Sequence, residues 1–269
     1  MAYHIVRDPN NSGLRYFQSL KGKGGHLAEG IFIAETPKIA RKILESDLEI
    51  VSAFMTEPYF EQFGSAIEIR THNTQIHLAS KSTMESIVGY PLHQGVMLAV
   101  RIPESKTIES SAKDWKAPHL IVALDRIADA ENMGTIIRNC AAFGVSALIV
   151  DEQSCHPYLR RSVRVSMGTI VDCEIIRVPE LGLALRELSS VFKSQVVAAT
   201  LSDRSTSIYE TTLTGNITLV FGAEGHGIHP TILASCEQEV MIPIAPSVDS
   251  LNVGVACGIM IYEAKREIA

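Results

Sequence analysis

Three stretches of the chain set polar or glycine residues at the ends of apolar runs, where a turn can present them to a ligand. The first follows HLIVAL (119–124) and reads ALDRIADAENMGTIIRNCAAFGV. Asn132 is of a type that caps a helix, and Gly144 of a type that ends one. Ile136, Ile137, Cys140 and Ala141 give that helix a buried face, and Arg138 interrupts it six positions past Asn132. On this segment alone, Arg138 reads as a structural arginine paired to a carboxylate. The second stretch is the turn Gly222-Ala223-Glu224-Gly225-His226-Gly227 after an apolar run. Glycines there would let a ligand lie against bare backbone, and a tight turn is the plain alternative. The spacing is GxxGxG, not the GxGxxG of dinucleotide sites, and no GxxxxGK[ST] phosphate cradle is present. The third stretch runs from Pro243 through a polar turn, Ser247 to Ser250, into a helix opening at Leu251-Asn252. Thr200, closing the run QVVAAT, puts a hydroxyl at another strand end. A separate segment, HPYLRRSVRVSMG, gathers Arg160, Arg161 and Arg164 within about one and a half helical turns. Such a cluster is either a solvated helix face or a phosphate contact.

These residues share a site only if the elements carrying them are parallel neighbours. From residue 119 the pattern suits that: HLIVAL, ALIVD, DCEIIRV, QVVAAT, NITLVFG and EVMIPI are strand-like. Helical segments lie between most of them, near 133–143, 157–167, 180–190 and 230–236, with 251–266 at the end. Uninterrupted apolar strands alternating with helices predict a parallel sheet covered on both faces. Ligands of such sheets bind at the carboxyl ends of the strands. Residues 30–103 predict a smaller α/β sandwich: strands at 30–35, 49–56, 66–72 and 95–102, and helices at 36–45 and 57–64. Thr36 is the expected N-cap of the first helix, with Pro37 at its first position. Residues 104–118, polar and Ser-rich, read as a linker between domains 1–103 and 119–269. The stretch 1–28 reads as a solvated arm or as a short helix presenting Arg7, Arg15, Lys21 and Lys23 to phosphate.

The chain has 269 residues and a formal net charge of −6, so no global basic field announces nucleic acid. Ten Lys/Arg and ten Asp/Glu fall in residues 1–103, fourteen and twenty in 104–269. The acidic excess therefore belongs to the second part, and a local basic patch stays compatible with it. Five cysteines without close pairs argue against a disulfide framework or a zinc site. With no signal peptide or membrane span in the sequence, the expected location is the cytoplasm.

Taken together, NMGTIIR (132–138), VFGAEGHGI (220–228) and IPIAPSVDSLNVGVACGI (242–259) resemble, in order and spacing, the three signature motifs of the SpoU (TrmH-like) RNA 2′-O-ribose methyltransferases of the SPOUT superfamily. The part before them resembles an L30e-like substrate-binding domain, on looser matches at EGIFIAE and HQGVMLAV. One departure is Ile244 where the family often has Met, a volume-conserving change. The resemblance implies a trefoil-knotted α/β methyltransferase domain, S-adenosylmethionine as donor, and a ribose 2′-hydroxyl of structured RNA as acceptor. Ribosomal RNA is favoured over transfer RNA. A homodimer is also implied, and neither a metal nor a membrane. Carried residue by residue, it implies a cofactor pocket lined by Thr200, Gly222, Ile242, Ser250 and Leu251. Asn132, Arg138, Glu224 and Asn252 are the implied catalytic residues, and Arg160, Arg161 and Arg164 the expected RNA contacts.

In the mechanism this implies, orientation supplies much of the rate. Arg138 is a poor base, because a guanidinium holds its proton to above pH ~12. Its expected role is to stabilise the developing alkoxide and fix the adjacent phosphate, with Asn132 orienting it. Two other readings compete. One is a non-catalytic RNA-binding protein of the same fold. The other is a nicotinamide-dependent oxidoreductase, which the glycine spacing and the missing ribose acid oppose.

Overall fold

The computed structural model describes residues 3–6, 12–18, 20, 25–70 and 74–268. The first part runs β1 (Tyr3–Ile5), α1 (Gly25–Ala28), β2 (Ile31–Glu35), α2 (Pro37–Glu45), β3 (Ile50–Met55), α3 (Glu57–Arg70), β4 (Gln75–Leu78), α4 (Lys81–Val88) and β5 (Val96–Arg101). It continues with α5 (Ile108–Ala112), β6 (Leu120–Asp125), α6 (Ala130–Ala142), β7 (Ala147–Asp151), α7 (Arg160–Val165), β8 (Ile175–Val178), α8 (Leu181–Ser190) and β9 (Gln195–Ala199). The last elements are β10 (Thr206–Ser207), β11 (Ile217–Gly222), α9 (Pro230–Leu233), β12 (Gln238–Met241) and α10 (Val253–Ile268). Contacts divide the chain into two compact units. One is Met1–Glu104 with Tyr158–Val171, and the other is Ser105–Pro157 with Asp172–Ala269.

The second unit carries, among the described residues, a seven-stranded sheet in the order β10-β12-β9-β11-β6-β7-β8, with every pairing parallel. The continuous apolar runs dictate this. Leu120 to Leu124 and Ile217 to Phe221 are buried throughout, as strands covered on both faces must be. The chain steps outward through β6, β7 and β8, then crosses back to lay β9 and β12 on the far side of β11. That reversal places the carboxyl ends of β9, β11 and β12 side by side, at the point where open parallel sheets hold ligands. The first unit holds a mixed sheet, β1-β4-β3-β5-β2, with β2 and β3 antiparallel to β5. Phe17 and Phe54 pack at its core, 5.5 Å apart.

Several expectations fail here for identifiable reasons. Residues 57–70 form one helix, not a helix followed by a strand at 66–72; residues 71 and 72 of that expected strand lie outside the described residues. The alternation of Ile67 and Ile69 suggests a strand. Helical spacing instead buries Ile67 with Phe63 and leaves Ile69 80 % exposed, so packing overrides the local pattern. The adjacent strand is β4, which the sequence reading missed, as it missed β1 and β10. The expected linker contains α5, whose Ile108 and Ser111 are buried, and 105–118 belongs to the second unit. Arg7, Lys21 and Lys23 of the expected basic arm lie outside the described residues. Arg15 is exposed and pairs with Glu29 at 3.3 Å. Thr36 does stand at the start of α2, but its side chain makes no capping hydrogen bond. Among the described residues no helix is long and apolar enough to cross a membrane.

Candidate active site

A cavity of about 490 Å³ opens at the carboxyl ends of β9, β11 and β12, a volume within the range of small-molecule sites. Thr200, Gly222, Ile242, Ser250 and Leu251 all line it, so five residues spread over 52 positions of sequence converge there. Glu224 lines it as well. The walls that sequence reasoning missed are mostly apolar: Phe221, Val240, Ile244, Val253 and Met260. Phe221 and Val240 stand at strand ends, Ile244 in the loop after β12, and Val253 and Met260 in the first half of the last helix.

The glycine turn is a tight turn, and its first glycine serves the turn itself. A Cβ on Gly222 would stand 2.2 Å from the Gly227 carbonyl carbon and 2.3 Å from the Ile228 nitrogen. The chain folds back through an Ala223–Gly227 bridge, with Gly225 and Gly227 at positive φ. The expectation that a ligand occupies the space left by the missing Cβ is therefore corrected at Gly222: the turn's own backbone fills it. Behind the turn, the Asp125 carboxylate at the end of β6 accepts a hydrogen bond from the His229 N–H at 2.6 Å and pairs with Arg126 at 3.2 Å. This buried carboxylate anchors the far end of the glycine loop, and sequence reasoning did not single it out.

The helix α6 is positioned by a second buried carboxylate. Asp151 accepts hydrogen bonds from the backbone N–H groups of Arg126 and Ser154 at 3.1 and 2.9 Å, and from the Ser154 hydroxyl. Ser154 Oγ in turn accepts from the Ile127 N–H. The loop 125–129 is thus fixed, and Asp129 caps α6 by accepting from the N–H groups of Glu131 and Asn132. The cap is Asp129, not Asn132, which frees the Asn132 side chain for another task. Asn132 Oδ1 accepts from Asn252 Nδ2 at 2.8 Å, and the same Nδ2 donates to Glu224 Oε1 at 2.9 Å. Asn252 Oδ1 accepts from the Gly254 and Val255 N–H groups, capping α10.

One amide therefore ties the three stretches together beside the cavity. Close packing of two helices makes it possible. Gly254 and Gly258 of α10 lie against Thr135 and Asn139 of α6, where a Cβ on Gly254 would meet Thr135 Cγ2 at 2.8 Å. Asn139 Nδ2 donates to the Gly254 carbonyl at 2.9 Å across the same contact.

Arg138 stands apart from this group. It is exposed, does not line the cavity, and has no hydrogen-bond or ion-pair partner among the described residues. Six residues along a helix carry it about 9 Å from Asn132 and about 120° around the axis. The structural ion pair first read for Arg138 is thus absent, and Asn132 is oriented by Asn252, not toward Arg138. Arg160, Arg161 and Arg164 belong to the first unit. Arg160 turns inward to Glu35 at 3.0 Å and stacks over the Tyr90 ring at 4.1 Å, which corrects its assignment as a free phosphate contact. Arg164 lies 3.6 Å from the same carboxylate and is partly exposed. Arg161 is exposed and also engaged.

A parallel sheet whose reversed strand order holds a polar-mouthed, apolar-walled cavity defines a class of small-molecule-binding α/β domains. Comparison with known proteins makes the class specific. Residues 119–262 match the model of the SpoU rRNA Methylase family, and the chain belongs to that family. Among its relatives is the 23S rRNA (guanosine-2′-O-)-methyltransferase RlmB of Acinetobacter baylyi, 32 % identical over 195 residues, 71 % of this chain and 78 % of the relative. The protein of the same name from Vibrio cholerae is 34 % identical over 178 residues, 65 % and 71 % of the two chains. In fold, the chain is similar to the AdoMet-bound rRNA methyltransferase from Sinorhizobium meliloti. There the TM-score is 0.85 at 24 % identity, over 99 % of both chains.

Proposed function

We propose that this chain transfers a methyl group from S-adenosylmethionine to the ribose 2′-hydroxyl of a guanosine in 23S rRNA. The observation that carries the reading is the Asn252 amide, which joins Asn132 and Glu224 beside the strand-end cavity. The relatives' names supply the acceptor, and the AdoMet-bound structure of like fold supports the donor. The cavity fits that donor in kind. Its apolar walls suit an adenosine, and its strand ends bring backbone groups of Gly222, Ile242 and Leu251 to the lining.

When bound, the donor supplies an activated methyl, so the chain's own residues have to hold, orient and desolvate. Glu224 and Asn132 are fixed by Asn252 before any ligand arrives, which lowers the ordering cost of the reactive arrangement. Arg138 serves the acceptor oxygen as a cation without a competing partner.

The reading includes a homodimer. Val255, Ile259 and Tyr262 are exposed at i, i+4 and i+7 on α10, an apolar stripe of the kind that pairs with a second copy. Because Arg138 lies outside its own cavity, a second copy is the natural recipient of its side chain. A mixture of Arg138→Ala chains with chains disabled at the cavity should then regain turnover. It includes the trefoil knot as well. Support comes from residues 238–268, which add β12 to β9 and then send α10 back to α6.

Mass-spectrometric mapping of ribose methylation in 23S rRNA, with and without the gene, tests the substrate; a site lost with the gene is expected. Calorimetry with S-adenosylmethionine separates this reading from a non-catalytic RNA-binding module, which need not bind it. Binding of NAD in its place would favour the oxidoreductase reading.

A further inference from the structure

The lining of the strand-end cavity is one-sided in charge. Its titratable side chains are Glu224, His226 and Asp249, and no lysine or arginine stands among the lining residues. Asp249 is exposed and has no hydrogen-bond or ion-pair partner among the described residues. Glu224 accepts from the Asn252 amide at 2.9 Å, and a neutral donor of that kind holds a carboxylate without cancelling its charge. Arg138 is outside the lining. A concavity of about 570 Å³ in the first unit has the reverse composition, with Lys38, Arg41 and Arg164 in its lining and no carboxylate. Apolar side chains such as Phe221, Val240 and Met260 share the wall with Asp249 and Glu224. Such walls lower the local dielectric, so a charge beside them acts more strongly than in open water.

We propose that Asp249, with Glu224, makes this cavity read the charge of its ligand, holding the sulfonium donor in preference to the neutral thioether left after transfer. The inference rests on the functional reading above and adds to it the residues that set donor-over-product specificity. Methyl transfer forms a C–O bond, breaks a C–S bond and leaves that electron pair on sulfur, while the hydroxyl proton ends in water. Donor and product thus differ by one methyl and one positive charge. The adenosine, the α-ammonium and the α-carboxylate are common to both, so contacts with them cancel in the comparison. A carboxylate does not cancel. It attracts the sulfonium and is nearly indifferent to the thioether. Because both carboxylates are exposed, solvent and salt screen the attraction, and the discrimination is modest in size. Its direction favours replacement of spent product by fresh donor.

The test uses the full chain in calorimetry with S-adenosylmethionine and, separately, S-adenosylhomocysteine, near pH 8, where imidazoles in general carry little charge. The quantity read is the ratio of the two dissociation constants. Asp249→Asn should shift that ratio against S-adenosylmethionine by about threefold, through weaker binding of the donor alone. Glu224→Gln, which keeps an acceptor for the Asn252 amide, should shift it the same way. Asp249→Glu should keep the wild-type ratio. Glu152→Gln removes the same charge from an exposed position outside the lining and should leave the ratio unchanged. Added salt should lower the wild-type preference and move that of Asp249→Asn less. Equal losses for both ligands in Asp249→Asn would assign Asp249 to the shared ammonium and overturn this inference alone. A wild-type ratio in Asp249→Asn, or an equal shift in Glu152→Gln, would do the same. A wild-type chain that binds neither ligand would overturn the functional reading and this inference with it.

Discussion

Two concavities, one in each unit, differ in what their polar groups are doing. At the strand ends of the second unit, the polar groups are spent on each other: one Asn252 amide satisfies Asn132 and Glu224, and its oxygen caps α10. Apolar side chains such as Phe221, Val240, Val253 and Met260 make up much of the wall, which also carries His226 and Asp249. In the first unit Lys38 and Arg41 are exposed and have no hydrogen-bond or ion-pair partner among the described residues, while Glu35 is held by Tyr90, Arg160 and Arg164. The difference teaches that the strand-end cavity has its flanking polar groups ordered in advance by one another. The cations of α2 keep their charge unspent.

Five perturbations break or sharpen that contrast. Arg138→Ala should lower methyl transfer by about 10³-fold or more, on the order of 4 kcal/mol of transition-state stabilisation, with cofactor affinity intact. Single-turnover kinetics and calorimetry read the two quantities separately, and near-normal turnover would remove Arg138 from the chemistry. Gly222→Ala forces a Cβ into the Gly227 backbone, so the turn must shift. Cofactor affinity should fall roughly a hundredfold, with stability down by about 2–3 kcal/mol. An unchanged dissociation constant would mean that the turn is no part of the cofactor wall.

Glu35→Ala should cost about 3 kcal/mol, because Arg160 would stay partly buried without its partner. Thermal unfolding measures this, and cofactor affinity serves as the unaffected reference. Asn252→Ala should slow turnover about tenfold, or ~1.4 kcal/mol, by untying Asn132 and Glu224 and removing a helix cap. If instead only the melting temperature fell, Asn252 would be a cap and nothing more.

The smallest effect concerns pH. Burial, aided by Arg177, lowers the His156 pKa to about 4. The unfolded chain therefore binds the proton first, and stability should fall as pH drops from about 6.5 towards 4. Partial exposure limits the contribution to about 1 kcal/mol. His156→Gln should flatten that limb of a denaturation series taken against pH.

Much of the second unit was legible because apolar runs uninterrupted over five or six residues have few alternatives to a buried parallel strand. Thr200, Gly222 and Ile242, which line the cavity, end such strands or follow directly, but their grouping into one site was implied only by the resemblance of the three motifs. The first unit was less so. Ile67 and Ile69 alternate as in a strand, yet the helix α3 buries only the former. Residues 158–171 join the first unit although their neighbours in sequence belong to the second, a long-range choice with no local mark. Asp125 and Asp151, which anchor the loops behind the site, carry no local signal beyond standing at strand ends.

The sequence by itself determined the alternation of strands and helices, the three motifs and their order, since these follow from side-chain polarity and backbone freedom at single positions. Only the tertiary structure decided which polar groups are occupied. Asn132 faces Asn252 because glycines on α10 let two helices approach. Arg160 is neutralised because Glu35 lies beneath it, and Arg138 is exposed because no carboxylate folds against it. Pairing of buried or half-buried charge depends on neighbours more than a hundred residues away, and proximity of that kind is written in the packing of the whole chain, not in any one segment.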